Sequence, residues 1–140
     1  MTAVDVSATA LDRAAADAAT AGVADRIDFQ RHDLALTFPS GAFDLVSAQY
    51  LHSPLAFPRV HVLQEAVSAV TPGGLLLIVD HASVSPSSWT EPEETLAPLD
   101  LSPGEWHTER IEACEREVTG PNGQRTTVTD NVVALRHLAR

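Results

Sequence analysis

The sequence predicts an α/β fold, a doubly wound and mostly parallel sheet closed by a C-terminal antiparallel hairpin. Three observations carry this. Short β-branched or apolar stretches alternate with helix-forming stretches, the order expected of a parallel sheet with helical crossovers. The run Leu75-Leu76-Leu77-Ile78-Val79 is apolar without alternation, as a strand covered on both faces should be. The chain closes with two strand-like segments separated by the turn residues TGPNG, a hairpin spacing.

The elements follow in order. Thr2-Ala3-Val4-Asp5-Val6 is a first strand ending in a carboxylate. Ser7 to Ala21 is rich in helix formers, with Leu11, Ala15 and Ala18 on one face, Ser7 as N-cap and Gly22 as stop. Arg26 to His32 alternates apolar and polar and ends at Asp33, and Phe43 to Ala48 is the next strand; the LALTFPSGA between them is too short and too broken by Pro39 and Gly41 for a full helix. Pro58 opens a second helix whose Val60, Leu63, Val67 and Val70 recur at helical spacing, until Thr71-Pro72-Gly73-Gly74 ends it before the apolar strand. Residues 83–105, rich in Ser, Pro and Glu, read as a connection with one short helical turn. RIEACEREV and RTTVTDNVVAL form the hairpin.

Composition limits the functions available. At 140 residues and 44% hydrophobic, the chain is long enough for one buried core. Net charge is −10 and all nine basic residues are scattered Arg, so neither nucleic acid nor an anionic membrane is an expected partner. No apolar run approaches the roughly 20 residues that span a bilayer, and the first 15 lack a signal-peptide pattern; the expected location is cytoplasmic. Cys114 is the only cysteine, which excludes an internal disulfide and a cysteine zinc site. His32, His52, His61, His81, His107 and His137 show no ligand-pair spacing, so no metal is expected.

Ligands of open α/β sheets bind beyond the carboxyl ends of the strands. Asp5 ends the first strand, where a carboxylate can accept from both hydroxyls of a ribose; a lone Asp before a helix is also a common cap. Asp33 ends the next strand and precedes Leu34. There a carboxylate can accept from an exocyclic amine such as adenine N6, and a turn-forming Asp is the alternative.

Taken together, MTAVDVSATALDRAAADA, RIDFQRHDLALTFPSGAFDLVSAQYLH and VLQEAVSAVTPGGLLLIVDH resemble the class I S-adenosylmethionine-dependent methyltransferases, the first of them the segment that follows the family's glycine loop, and with the hairpin the resemblance covers nearly the whole chain. It implies a Rossmann-like fold, with residues 1–140 a single, partial methyltransferase domain, and S-adenosyl-L-methionine as cofactor. It implies that Asp5 holds the cofactor ribose, Val6 packs on the adenine face, and Asp33 with Leu34 meets the adenine edge. Gln49 and Tyr50, in the stretch Gln49-Tyr50-Leu51-His52, match the wall near the methionine portion and the transferred methyl. Gly73 and Gly74 match a packing turn. His52 follows a strand end facing that cofactor, where a general base acting on the acceptor would stand; a packing histidine is the alternative. Tyr50 could position the acceptor or belong to the core, and Trp89 and Trp106 are expected to anchor the Ser/Pro/Glu connection.

In this family a strand and a Gly-x-Gly-type loop precede the position of Asp5, and residues 1–4 contain no such loop. The expectation is a methyltransferase domain lacking the family's first strand, glycine loop and first helix, incomplete and inactive as it stands, whose full form acts on a small-molecule methyl acceptor. Two other readings compete. One is a non-enzymatic remnant that keeps an adenosine-binding half site. The other is an NAD-dependent dehydrogenase, since Asp5 also suits that ribose, although the His-Asp-Leu context of Asp33 and the terminal hairpin argue against it.

Overall fold

The computed structural model describes residues 1–53, 56–82 and 89–139. It divides into two compact units, Met1–Gly41 and Ala42–Arg140.

In the first unit, β1 (Thr2–Asp5) pairs in parallel with β2 (Asp28–Arg31), Asp5 standing opposite Arg31. Between them runs α1 (Ala8–Thr20), for which Ser7 is the N-cap, its hydroxyl accepting from the Ala10 N–H at 3.2 Å. This satisfies one of the donors a helix start leaves without an intrahelical partner. Gly22 follows the helix with φ +69°, the left-handed conformation that glycine adopts at no steric cost. A 3-10 turn at Ala24–Arg26 leads into β2.

The second unit is a four-stranded mixed sheet in the order β3-β4-β6-β5, formed by β3 (Phe43–Gln49), β4 (Val70–His81), β5 (Trp106–Thr119) and β6 (Arg125–His137). β3 and β4 are parallel and joined by α2 (Arg59–Ser68), while β6 is antiparallel to both β4 and β5. The hairpin thus adds antiparallel pairing to one side of a parallel pair, as the sequence implied. Two short 3-10 turns, Pro92–Thr95 and Ala97–Leu99, occupy the described part of the Ser/Pro/Glu connection in place of the single turn expected.

The core of this unit lies on one face of β4 and β6. Leu76 faces Leu135 and Ile78 faces Val133 across the ladder, and all four are fully buried. Val62, Leu63 and Ala66 of α2 and Leu99 of the second turn complete it. Two expectations shift here. The buried stripe of α2 is Val62, Leu63 and Ala66, while Val60 is 45% exposed and Val70 already belongs to β4. In β4, moreover, burial alternates: Leu76, Ile78 and Asp80 are buried and Leu75, Leu77 and Val79 only half-buried, so one face carries the core.

Gly73 and Gly74 sit where the β3-β4 register steps from Phe43↔Val70 to Leu45↔Leu75. A Cβ on Gly74 would lie 2.8 Å from Val70 Cγ1 and 2.9 Å from the Thr71 carbonyl oxygen. No side chain fits there, which accounts for the glycine as a packing requirement.

Candidate active site

In the first unit, the two parallel strands deliver Asp5 and Asp33 to neighbouring carboxyl ends. The His32 N–H donates to the Asp5 carbonyl at 3.1 Å, extending the ladder to the residue before Asp33. Each aspartate closes a local turn: Asp5 Oδ1 accepts from the Ser7 N–H at 2.7 Å, and Asp33 Oδ1 from the Ala35 N–H at 3.0 Å. The turn-forming alternative for both is therefore real, and it is compatible with ligand binding. One oxygen of each carboxylate fixes the side chain while both residues stay exposed, so the second oxygen can accept from a ligand hydroxyl or amine. Val6 is 57% exposed beside Asp5, with its carbonyl held by Arg31 Nε at 3.0 Å, and Leu34 is half-buried. Exposed carboxylate acceptors beside an apolar side chain suit the donating hydroxyls of a ribose and the donating amine of an adenine edge, so the chemistry of these residues is compatible with the adenosine portion of the implied cofactor.

In the second unit, the carboxyl ends of β3 and β4 carry a titratable network that sequence reasoning only grazed. Gln49 ends β3, exposed, and its amide donates to Ser47 Oγ at 2.8 Å. Tyr50 follows with φ +51°, a conformation uncommon for a residue with a Cβ. Its N–H is tied to the Val79 carbonyl at 2.7 Å and its hydroxyl donates to Asp130 Oδ2 at 2.8 Å. Backbone strain of this kind persists where surrounding bonds over-determine it.

Two buried carboxylates organise the network, one on each face of the sheet. Asp80, on the core face, is ion-paired with Arg59 at the start of α2. His52 Nε2 stands 3.3 Å from Asp80 Oδ1, close enough for charge attraction but outside hydrogen-bond geometry, so among the described residues Oδ1 is buried without a hydrogen-bond partner. Burial pushes the Asp80 carboxyl above its ordinary range, against the opposing pull of Arg59, His52 and His81. Asp130, on the other face and directly across the ladder from His81, accepts from His81 Nδ1 at 3.0 Å, from Tyr50 and from Arg116 Nε. Burial by itself would raise the Asp130 carboxyl, yet the hydrogen bonds from Arg116, Tyr50 and His81 outweigh it and hold it below the ordinary range. The same bond raises Tyr50, because losing the phenolic proton would place two negative oxygens together. The Tyr50 and His81 rings lie 4.5 Å apart, and the Arg116 guanidinium sits 5.9 Å from the Tyr50 centroid.

Of this network the sequence pattern marks Tyr50 and His52, whereas Asp80, His81, Arg59, Arg116 and Asp130 come together only in the folded sheet. Within the second unit, Gln49, Tyr50 and His52 do cluster at the strand ends. Trp106 stacks on His137 at 4.7 Å, an anchoring contact as expected, whereas Trp89 is 54% exposed with its indole N–H on Glu91. Among the described residues no His, Cys, Asp and Glu grouping is arranged to hold a metal ion, and no helix is long and apolar enough to cross a membrane.

In each unit a parallel strand pair is joined by a helix and carries polar side chains beyond its carboxyl ends, the place where open α/β sheets bind ligands. The chain belongs to the methyltransferase-domain family, whose profile matches residues 1–74. Its fold is the Rossmann-like fold of class I S-adenosylmethionine-dependent methyltransferases. Similar solved structures include TehB from Haemophilus influenzae, at TM-score 0.70 and 17% identity over 97% of this chain and 49% of that one. They include the N-methyltransferase NodS from Bradyrhizobium japonicum in complex with S-adenosyl-L-homocysteine, at TM-score 0.62 and 15% identity over 97% of this chain and 65% of that one. The cyclase SpnF is also similar, at TM-score 0.65 and 17% identity over 99% of this chain and 66% of that one. The chain thus spans about half to two thirds of the length of these three structures. No curated protein sequence matches it.

Proposed function

We propose that this chain belongs to an S-adenosylmethionine-dependent methyltransferase acting on a small molecule. The observation that carries this is the pair Asp5 and Asp33, each pinned by one oxygen in a turn and exposed at adjacent parallel strand ends, within the stretch that matches the family. In this reading Asp5 accepts from the ribose hydroxyls, Val6 covers the adenine face, and Asp33 with Leu34 meets its edge. Gln49 and Tyr50 serve the methionine portion, and His52 is a proton acceptor near the methyl acceptor. When bound, the cofactor supplies an already activated methyl group, so the protein's task is to orient the acceptor and, where needed, to remove its proton. That SpnF, a cyclase, shares this fold means that the fold does not by itself imply methyl transfer, and a diverted adenosine-binding role is the second reading.

The test is calorimetric titration with S-adenosylhomocysteine and, separately, NAD. Asp5→Asn and Asp33→Asn keep the turn acceptor and remove the charge, and each should weaken S-adenosylhomocysteine binding by about 1–3 kcal/mol. Unchanged affinity in both variants would remove the cofactor assignment, and tighter binding of NAD would favour the dehydrogenase reading.

A further inference from the structure

A cleft of about 370 Å³ opens in the second unit between the last turn of α2, the segment from Leu99 to Glu105, and the hairpin residues Trp106 and His137. It lies at the other end of the sheet from the network around Asp80 and Asp130. His137 follows Arg136, the partner of Leu75, whereas Asp80 pairs with Asn131, about 20 Å further along the ladder. The walls of the cleft are tied together. His137 Nδ1 donates to the Val70 carbonyl at 3.0 Å, the Trp106 ring stacks on His137 with centroids 4.7 Å apart, and the Leu138 N–H donates to the Glu105 carbonyl at 2.7 Å. On the opposite side the Gln64 amide donates to the Pro98 carbonyl at 2.9 Å, joining α2 to the turn that carries the buried Leu99. A site fixed before its ligand arrives loses little freedom on binding it.

The lining joins an apolar floor, Leu99 and Val67, to the aromatic rings of Trp106 and His137 and to the carboxylates of Asp100 and Glu105, with no Lys or Arg among its residues. Arg136, beside His137 on β6, alternates to the other face of the strand, where Glu109 and the Gly73 carbonyl engage it. His107, beside Trp106 on β5, alternates away in the same manner. The last turn of α2 adds the negative end of its helix dipole. An anion would therefore meet like charge. A metal ion is not matched either, since the described residues hold no grouping of His, Cys, Asp and Glu arranged around one. What fits is a positive charge carried on alkyl surface: the carboxylates attract the charge, an indole ring attracts a cation through its π electrons, and the alkyl groups lose contact with water against Leu99. We propose that this cleft binds a small organic cation, with an alkylammonium head that meets Asp100 and packs on Trp106, while Glu105 adds to the negative potential. The site uses residues of the second unit alone and does not depend on the methyltransferase reading.

The probe is choline, titrated into the whole chain at pH about 8, where an ordinary imidazole is uncharged and does not oppose a cation. Binding is read from the indole N–H resonance of Trp106 in nitrogen-resolved NMR. The indole N–H of Trp89, which is engaged by Glu91 and does not line the cleft, is the internal reference. The expected result is a saturating shift confined to Trp106. The alcohol in which a tert-butyl group replaces the trimethylammonium has the same shape without the charge, and should bind more weakly by about two- to fivefold. Asp100 has φ +52°, a left-handed conformation that asparagine also tolerates. Asp100→Asn therefore removes the charge while keeping the backbone, and should weaken choline by about two- to fivefold. The absence of a saturating Trp106 shift up to about 50 mM choline, equal affinity for the uncharged alcohol, or unchanged affinity in Asp100→Asn overturns the proposal. The comparison of choline with its uncharged analogue is made on the wild-type chain, so it decides the matter whatever the variant does to folding.

Discussion

Replacing Asp130 by Asn removes one charge from a buried position without changing its size. The wild-type carboxylate accepts from Tyr50, His81 and Arg116, and the amide can accept on one side only, turning a donor towards a donor on the other. Hydrogen bonds to a charged group contribute about 1.5–3 kcal/mol each, and a buried group left unsatisfied costs about 1–3. His81 and Arg116 are 41% and 45% exposed and regain water when released, so the expected loss is well below the sum, about 2 kcal/mol. Trp89 and Trp106, the two tryptophans of the chain, both lie in the unit that contains Asp130, so tryptophan fluorescence during urea unfolding reports on the right part of the molecule. Stability and pH are linked with a definite sign. Because the folded-state pKa of Asp130 is depressed, its contribution is fully present above the unfolded carboxylate value of about 3.9 and is lost as pH falls through the folded value. The difference between wild type and Asp130→Asn should therefore be full at pH 7 and close in acid. Asp80, which burial shifts the opposite way, is present in both proteins and cancels. A difference under about 0.5 kcal/mol at pH 7, or one that persists unchanged below the folded value, would refute the account of this network.

Gly74→Ala places a methyl 2.8 Å from Val70 Cγ1 and 2.9 Å from the Thr71 oxygen, and should lower stability by about 1–3 kcal/mol; an unchanged thermal midpoint would show that the bulge yields freely. Ser7→Ala removes the side-chain acceptor for the Ala10 N–H and should cost about 1 kcal/mol in the first unit, read as faster amide exchange in the first turn of α1, with equal exchange counting against the cap.

The elements legible in the sequence are those whose signals are local. Ser7, the alanine-rich run and Gly22 bound α1 within one residue of where the sequence puts it, because a cap and a stop act on neighbouring backbone groups. Asp5 and Asp33 were equally visible as strand ends, and of the two readings the sequence offered for each, the structure shows the turn, with Oδ1 accepting from the backbone N–H two residues on. Periodicity failed at α2 for an identifiable reason. Two apolar stripes share Leu63, one through Val60 and Val67, the other through Val62 and Ala66, and hydrophobic spacing alone does not rank them. Arg59 does. Its ion pair with Asp80 turns it to the face of β4 that carries Leu76 and Ile78, and Val62, Leu63 and Ala66 stand three, four and seven residues beyond it, on that same helical face.

The network around Asp130 was illegible for a different reason: its parts come together only through ladder register. The hairpin sets Cys114 opposite Asp130, so Arg116, two residues on, reaches it along the diagonal. Pairing of β6 with β4 sets His81 directly opposite, and Tyr50 arrives from 80 residues away. A one-residue slip of β6 against β4 would turn Asp130 to the other face, where the leucine, isoleucine and valine pairs of the core now lie. The same burial pattern that buries Leu135 and Val133 therefore forces Asp130 outward from that core, under His81 and Tyr50. The register that stabilises the sheet and the position of the carboxylate that orients the imidazole are one constraint, so a substitution that merely weakens the core layer, without touching Asp130, should leave the Nδ1–H form of His81 intact for as long as the register holds.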